Sequence, residues 1–182
     1  MNVSPELDAR FRTAALAEGI VDVRYDVVDS PVGDLLIAAT DRGLARIHFD
    51  ADGQEEVLAR IFGNRVLRAP IDAVRRELDE YFEGRRRDFD LPLDLRVIPF
   101  NAEVLGELAR VPYGTTTTYG ALAAKVGRPG AARAIGTVMN RNPIPIVLPC
   151  HRVIGANGSL TGYGGGLDRK LHLLQLEGAI LA

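Results

Sequence analysis

Of 182 residues only one is a cysteine, Cys150, and His151 and Arg152 follow it directly. A free thiol has a pKa near 8.5 and is mostly protonated at neutral pH, so a nucleophile needs a base or a positive field beside it. Both neighbours are of suitable types. A lone cysteine in apolar surroundings is by itself more often an inert core residue. The run-in NPIPIVLPC argues for more, because Pro143, Pro145 and Pro149 punctuate the path to the thiol. Each proline fixes its own φ and restricts its predecessor, which predicts an extended path that aims Cys150 in one orientation. Along an extended strand neighbouring side chains face opposite ways, so His151 reaches the sulfur only through a turn at Cys150 or through a bridging water.

An imidazole base needs an orienting acceptor on its other ring nitrogen, usually a carboxylate. The surrounding half of the chain offers Glu103 and Glu107 on an expected helix, Asp168 as the expected cap of the last helix, and Glu177 near that helix's end. Leu167, Leu171, Leu174 and Ile180 are expected to pin the last helix to the core, which leaves Glu177 as a candidate buried partner. A surface position is the ordinary setting for a helical glutamate. Ahead of that helix, GSLTGYGGG sets Tyr163 among Gly158, Gly162, Gly164, Gly165 and Gly166. Such a loop can close over a flat ligand and offer backbone N–H groups, or simply connect.

The elements that must hold these groups follow from spacing. Residues 99–110 predict a helix burying Phe100, Val104, Leu105 and Leu108. Thr118 is placed to cap a helix from Tyr119 to about Val126; Gly127, Arg128, Pro129 and Gly130 interrupt it, and a second helix runs from Ala131 to about Asn140. This is a helix-turn-helix outline, whose second helix would enter a DNA groove. Its small residues Ala131, Ala132, Ala134, Gly136 and Thr137 allow close backbone approach to a duplex, although similar helix pairs occur in proteins that never touch DNA.

In the first half, residues 35–39 and 44–49 flank a hairpin turn at Asp41, Arg42 and Gly43. Pro70 is placed to open a helix along Ile71, Val74, Leu78 and Phe82. Arg85, Arg86 and Arg87 read as a solvated exit from it. Phe89, Leu91, Leu93 and Leu95 alternate with polar residues and Pro92 as a half-buried edge strand. The expected fold class is α+β. A small N-terminal α/β domain with an antiparallel sheet spans 1–95, with 1–20 a mobile or helical leader, and a mainly helical C-terminal domain with the helix-turn-helix spans 96–182.

Composition bounds the rest. At 47% hydrophobic and 25% charged, the chain can fill a core without staples. One cysteine excludes an internal disulfide framework and a Cys-rich zinc site, and fits a reducing, cytoplasmic compartment. No apolar run approaches the ~18 residues of a membrane span, and the polar start does not read as a signal peptide. The net charge of -2 hides an asymmetry: residues 1–95 carry 13 Lys and Arg against 20 Asp and Glu, net -7, and residues 96–182 carry 9 against 4, net +5. A basic half suits contact with a polyanion, and two differently solvated surfaces would give the same count.

The stretch ARAIGTVMNRNPIPIVLPCHRVIG, followed by GSLTGYGGG, closely resembles the active-site region of the O6-alkylguanine-DNA alkyltransferases. The resemblance covers residues 99–178, and the first half matches that family's N-terminal domain more loosely. It implies a helix-turn-helix bound in the minor groove of double-stranded DNA, a damaged guanine flipped into a pocket, and single-turnover transfer of the O6-alkyl group to Cys150, with O4-alkylthymine as a second lesion. His151 becomes the base acting through a water, Glu177 its orienting carboxylate, and Asn142 the support of the turn before the active-site segment. Arg133 takes the role of the arginine that fills the flipped base's place, and Tyr119 that of the tyrosine that helps extrude the nucleotide. Tyr163 would stack beside the base, and backbone groups of Cys150, Val153 and Gly164 would read its edges. Gly164 stands where many relatives have Ser or Ala. Some relatives carry zinc in the first half; His48 is the only histidine there and no cysteine precedes Cys150, so no metal is expected.

A thioether on Cys150 has no leaving path and no second cysteine to attack it, so each molecule is expected to act once. No Walker loop or dinucleotide motif is present, and no cofactor is expected. The expected state is a monomer that can cluster on DNA, away from membranes. Two other readings are a lesion-flagging DNA-binding module, against which the acceptor cysteine argues, and a multiple-turnover cysteine hydrolase with His172 as base.

Overall fold

The computed structural model describes residues 4–180. A helix α1 (Pro5–Ala17), capped by the Ser4 hydroxyl, precedes a four-stranded sheet. The sheet has β1 (Val23–Val28), β2 (Leu35–Thr40), β3 (Gly43–His48) and β4 (Val66–Arg68), in the order β3-β2-β1-β4. The expected hairpin is β2 and β3, paired antiparallel across Asp41 and Arg42. Helix α2 (Gln54–Phe62) carries the chain to β4, which pairs parallel with β1. All six residues of β2 are buried, as suits a strand packed on both faces. One face packs on Leu58 of α2. The other joins a core shared with the second half of the chain.

Helix α3 (Asp72–Phe82) starts two residues after Pro70 and buries Val74, Glu77, Leu78 and Tyr81. Its fourth core position is Tyr81, not the expected Phe82, which is half-buried. The expected edge strand at 89–95 reduces to one bridge: Leu44 N donates to the Pro92 carbonyl at 2.8 Å and Asp94 N to the Leu44 carbonyl at 2.9 Å. Pro92 has no N–H to extend a ladder, and Asp90 N is taken by the Glu77 carboxylate at 2.9 Å. Gly43 permits the bridge, since a Cβ there would lie 2.2 Å from the Pro92 carbonyl oxygen.

The second half comprises α4 (Pro99–Ala109), β5 (Thr117–Thr118), α5 (Tyr119–Lys125), α6 (Ala132–Asn140), a 3-10 turn at Cys150–Arg152, β6 (Val153–Ile154) and α7 (Leu167–Leu176). Thr118 caps α5 as expected, its hydroxyl accepting from Ala121 N at 3.1 Å. Helices α5 and α6 form the helix-turn-helix, seated on α4. Helix α7 is rotated from expectation: Leu167 and Leu171 are exposed, and Lys170, Leu173, Leu174 and Glu177 face inward. A buried lysine and glutamate define that face, which counting leucines alone overlooks. Asp168 lies in the first turn, and the N-cap is Gly166. Among the described residues no helix is long and apolar enough to cross a membrane.

Candidate active site

Pro143, Pro145 and Pro149 do not hold an extended path. The segment folds back on itself: Leu148 N donates to the Ile144 carbonyl at 2.9 Å, and Ile146 takes a φ of 75°. A β-branched residue in the left-handed region is strained, so the surroundings must over-determine the loop. Each proline restrains itself and the residue before it, and Ile146 and Val147, which precede no proline, are free to turn. Asn142 is the clasp, with Oδ1 accepting from Ile144 N at 3.0 Å and Nδ2 donating to the Leu148 carbonyl at 2.7 Å. The same Nδ2 lies 3.1 Å from Cys150 Sγ, to which it donates.

Cys150 opens the 3-10 turn, so a turn at the cysteine replaces the strand geometry that would have thrown His151 to the opposite face. His151 is fully buried, and its Nε2 lies 2.9 Å from Glu177 Oε1. Glu103 and Glu107 remain on α4, and Asp168 is exposed at the other end of α7. The Glu177 carboxylate also accepts from Arg152 Nε at 2.8 Å, Arg152 Nη2 at 2.9 Å, Gly114 N at 3.3 Å and the Tyr81 hydroxyl at 2.7 Å. Burial opposes its ionisation, but the hydrogen bonds from His151 and Arg152 prevail and hold its pKa down at about 2. An ionised Glu177 makes His151 Nε2 the donor and leaves a lone pair on Nδ1. That Nδ1 is buried and makes no hydrogen bond among the described residues. Burial pushes the His151 pKa below its ordinary 6.5, so the ring is neutral at pH 7.

Burial pushes the Cys150 thiol up to about 11, against the opposing pull of the Asn142 amide and the Lys170 charge. Lys170 is itself fully buried, its Nζ donating to the carbonyls of Val153 at 2.6 Å and Thr161 at 2.9 Å. The resting sulfur is therefore a thiol, its anion disfavoured by burial and only partly compensated by Asn142 and Lys170. Sequence reasoning missed Lys170, Arg152 as a ligand of Glu177, and Tyr81. Lys170 and Glu177 are seven residues apart, two helical turns on one face, which was the available signal.

Cys150 lines a cavity of about 180 Å³ together with Asn142, Tyr163, Gly164, Gly165 and, from the first half, Phe49. Tyr163 packs on Phe49 with ring centroids 5.7 Å apart, and its hydroxyl is buried without a partner among the described residues. Gly165 makes room for that pair: a Cβ there would lie 2.6 Å from the Phe49 ring. At Gly164 a Cβ would lie at an ordinary 3.5 Å from the Asn140 carbonyl, so the backbone there accommodates a side chain. Val153 does not line the cavity; it is fully buried and its carbonyl is taken by Lys170. Tyr119, Ala132, Arg133 and Gly136 line a neighbouring open groove along α6. Ala131 lies at the start of α6, Arg133 is exposed, and the Tyr119 hydroxyl contacts Thr161 Oγ1 at 3.3 Å. His172 is exposed and does not line the Cys150 cavity.

Two family models match the chain: the 6-O-methylguanine DNA methyltransferase DNA binding domain over residues 99–179, and the ribonuclease-like domain of the same enzymes over 23–95. A methylated-DNA--protein-cysteine methyltransferase of Mycolicibacterium paratuberculosis is 47% identical over 85% of this chain and 92% of its own length. One from Methanosarcina barkeri is 40% identical over 84% and 96%. The chain belongs to the methylated-DNA--protein-cysteine methyltransferase family. A crystal structure of the Mycobacterium tuberculosis OGT in complex with DNA superposes with a TM-score of 0.77 at 40% identity, covering 86% of this chain and 93% of that one. As a methylated-DNA--protein-cysteine methyltransferase, the chain has one thiol to offer, Cys150.

Proposed function

We propose that this methyltransferase reverses O6-alkylation of guanine in DNA by taking the alkyl group onto Cys150 Sγ, once per molecule. The observation that carries the reading is the line from the cavity through Cys150 and its neighbour His151 to an ionised, five-fold hydrogen-bonded Glu177. A base stacked in a duplex is out of reach of a buried thiol, so the lesion must be swung out, at a cost of a few kcal/mol. Arg133, exposed on α6, would fill the gap, and Tyr119 at the start of α5 would press on the nucleotide. Tyr163 then packs beside the base, and the backbone of the Gly164 segment reads its edge.

His151 Nδ1, with Nε2 held by Glu177, takes the thiol proton through a bridging water. Sγ attacks the alkyl carbon, the C–O6 bond breaks, its electron pair passes to O6, and the proton ends on guanine N1. The product is unmodified guanine and a thioether. O4-alkylthymine presents the same ether on a smaller ring and is the second substrate. The protein acts as a monomer. Incubation with a duplex containing O6-methylguanine should add the mass of one methyl group to the peptide bearing Cys150, stoichiometrically and without turnover. No added mass on folded protein refutes the reading.

A further inference from the structure

Four of the five residues 162–166 are glycine, and glycine loses the most conformational freedom when a loop is ordered. Tyr163, Gly164 and Gly165 nevertheless form one wall of the Cys150 cavity. Their order must come from a partner outside the loop. Arg169, in the first turn of α7, supplies it: Nη1 donates to the Gly165 carbonyl at 3.1 Å, and Nε donates to the Val32 carbonyl, between β1 and β2, at 2.7 Å. The same guanidinium lies over the Phe49 ring, 5.1 Å from its centroid. Phe49, directly after β3, is buried and backs the Tyr163 ring on its other flank. Among the described residues no other side chain hydrogen-bonds the backbone of 162–165. The open groove along α6 past Tyr119, Arg133 and Gly136 does not include Arg169, whose hydrogen bonds go to Val32 and Gly165.

We infer that Arg169, acting through Gly165 and Phe49, is a positioning residue for alkyl transfer: it clamps the Tyr163–Gly165 wall to the first half, so that a flipped base is held in line with Cys150 Sγ. This rests on the alkyl-transfer reading above. Displacement at carbon needs the attacking and leaving atoms aligned, and a misplacement of about 1 Å can cost on the order of a hundredfold in rate. A loop of glycines left to itself samples such misplacements. Charge-assisted hydrogen bonds from a planar guanidinium, with its face on an aromatic ring, offset the entropy of fixing one arrangement. Through the Val32 carbonyl and the Phe49 ring, the first half thereby sets the geometry at the sulfur.

The test follows single-turnover methyl transfer at rising concentrations of an O6-methylguanine duplex, beside amide hydrogen exchange of the free protein. In Arg169→Gln the rate at saturating duplex should fall about tenfold, the scale of one charge-assisted hydrogen bond, while the half-saturating concentration and the final yield of one methyl group per molecule stay unchanged. Exchange should quicken over residues 158–166 and not elsewhere. Arg169→Lys keeps a cation and a donor and should recover part of the rate. Phe49→Leu, which keeps the core apolar but removes the ring, should lose rate in the same way and carries the test if Arg169→Gln does not fold. An unchanged saturating rate, or a fall without quicker exchange in the loop, overturns the proposal. So does a rise in half-saturating concentration that accounts for the loss, which would make Arg169 a DNA contact, or a lower yield at unchanged rate, which would make it a stabilising residue only. Failure of the wild type to accept the methyl group overturns the alkyl-transfer reading itself.

Discussion

The Tyr81 hydroxyl, on α3 of the first half, donates to Glu177 Oε1, at the end of α7, at 2.7 Å. The carboxylate that orients His151 is thus held from both halves of the chain. Tyr81 is fully buried. Replacing it with Phe keeps the ring packing against Phe82, Phe89 and Tyr113 but removes one donor. Tyr81→Phe should remain folded, lose about 1–2 kcal/mol of stability, and transfer methyl groups several-fold more slowly. Denaturant unfolding and single-turnover transfer read the two effects; an unchanged rate would show that the remaining donors suffice.

Glu177 also sets an acid limit. Its folded pKa of about 2 lies below its ordinary 4.5, so its contribution to stability is complete above 4.5 and is lost as pH falls toward 2. The shift corresponds to something on the order of 3 kcal/mol. Glu177→Gln should flatten the stability curve over that window and be less stable at pH 7. A wild-type curve already flat between pH 4.5 and 2 contradicts this.

The thiol and its base respond differently to pH. With Cys150 at about 11 and His151 held below 6.5, transfer through the base should be level between about pH 7 and 9, while direct labelling by iodoacetamide should be slow at neutrality and rise steadily toward pH 11. A transfer rate that tracked iodoacetamide labelling point for point would remove His151 from the reaction.

Lys170 is the buried charge nearest in effect to the sulfur. Lys170→Met fills the space but strands the carbonyls of Val153 and Thr161 and removes a cation that favours the thiolate. It should cost roughly 1–3 kcal/mol in stability. It should also delay the rise in iodoacetamide labelling to higher pH, a displacement that a purely structural lysine would not cause.

Arg133 is exposed on α6 and makes no side-chain hydrogen bond or ion pair among the described residues. Arg133→Ala should slow methyl transfer from a duplex far more than from a single strand, where no partner base is left behind. Equal loss on the two would mean that it holds phosphates only.

Much of the second half was legible because its signals are local. Thr118 before an apolar period and the Gly127 to Gly130 interruption fix α5 and α6, and PCHRV marks the reactive turn. What stayed hidden depends on contacts distant in sequence. Nothing near Tyr81 announces a glutamate 96 residues away, and nothing near Phe49 announces a cavity lined by Cys150. The proline-rich loop misled because proline restrains φ at single positions, while its course is set by Asn142 clasping Ile144 and Leu148. Helix α7 misled because a buried lysine and glutamate reverse the usual assignment of faces.

Besides Tyr81, the halves are stitched where Ile47 N donates to the Pro143 carbonyl at 2.9 Å and where Arg169 grips the Val32 carbonyl at 2.7 Å beneath the Phe49 ring. A chimera splicing the first half of one relative onto the second half of another would inherit mismatched seams around the reactive cavity. The two pieces are thus constrained to diverge as co-adapted partners, and an exchange spliced between the two matched segments, 23–95 and 99–179, should yield protein that folds poorly or reacts slowly.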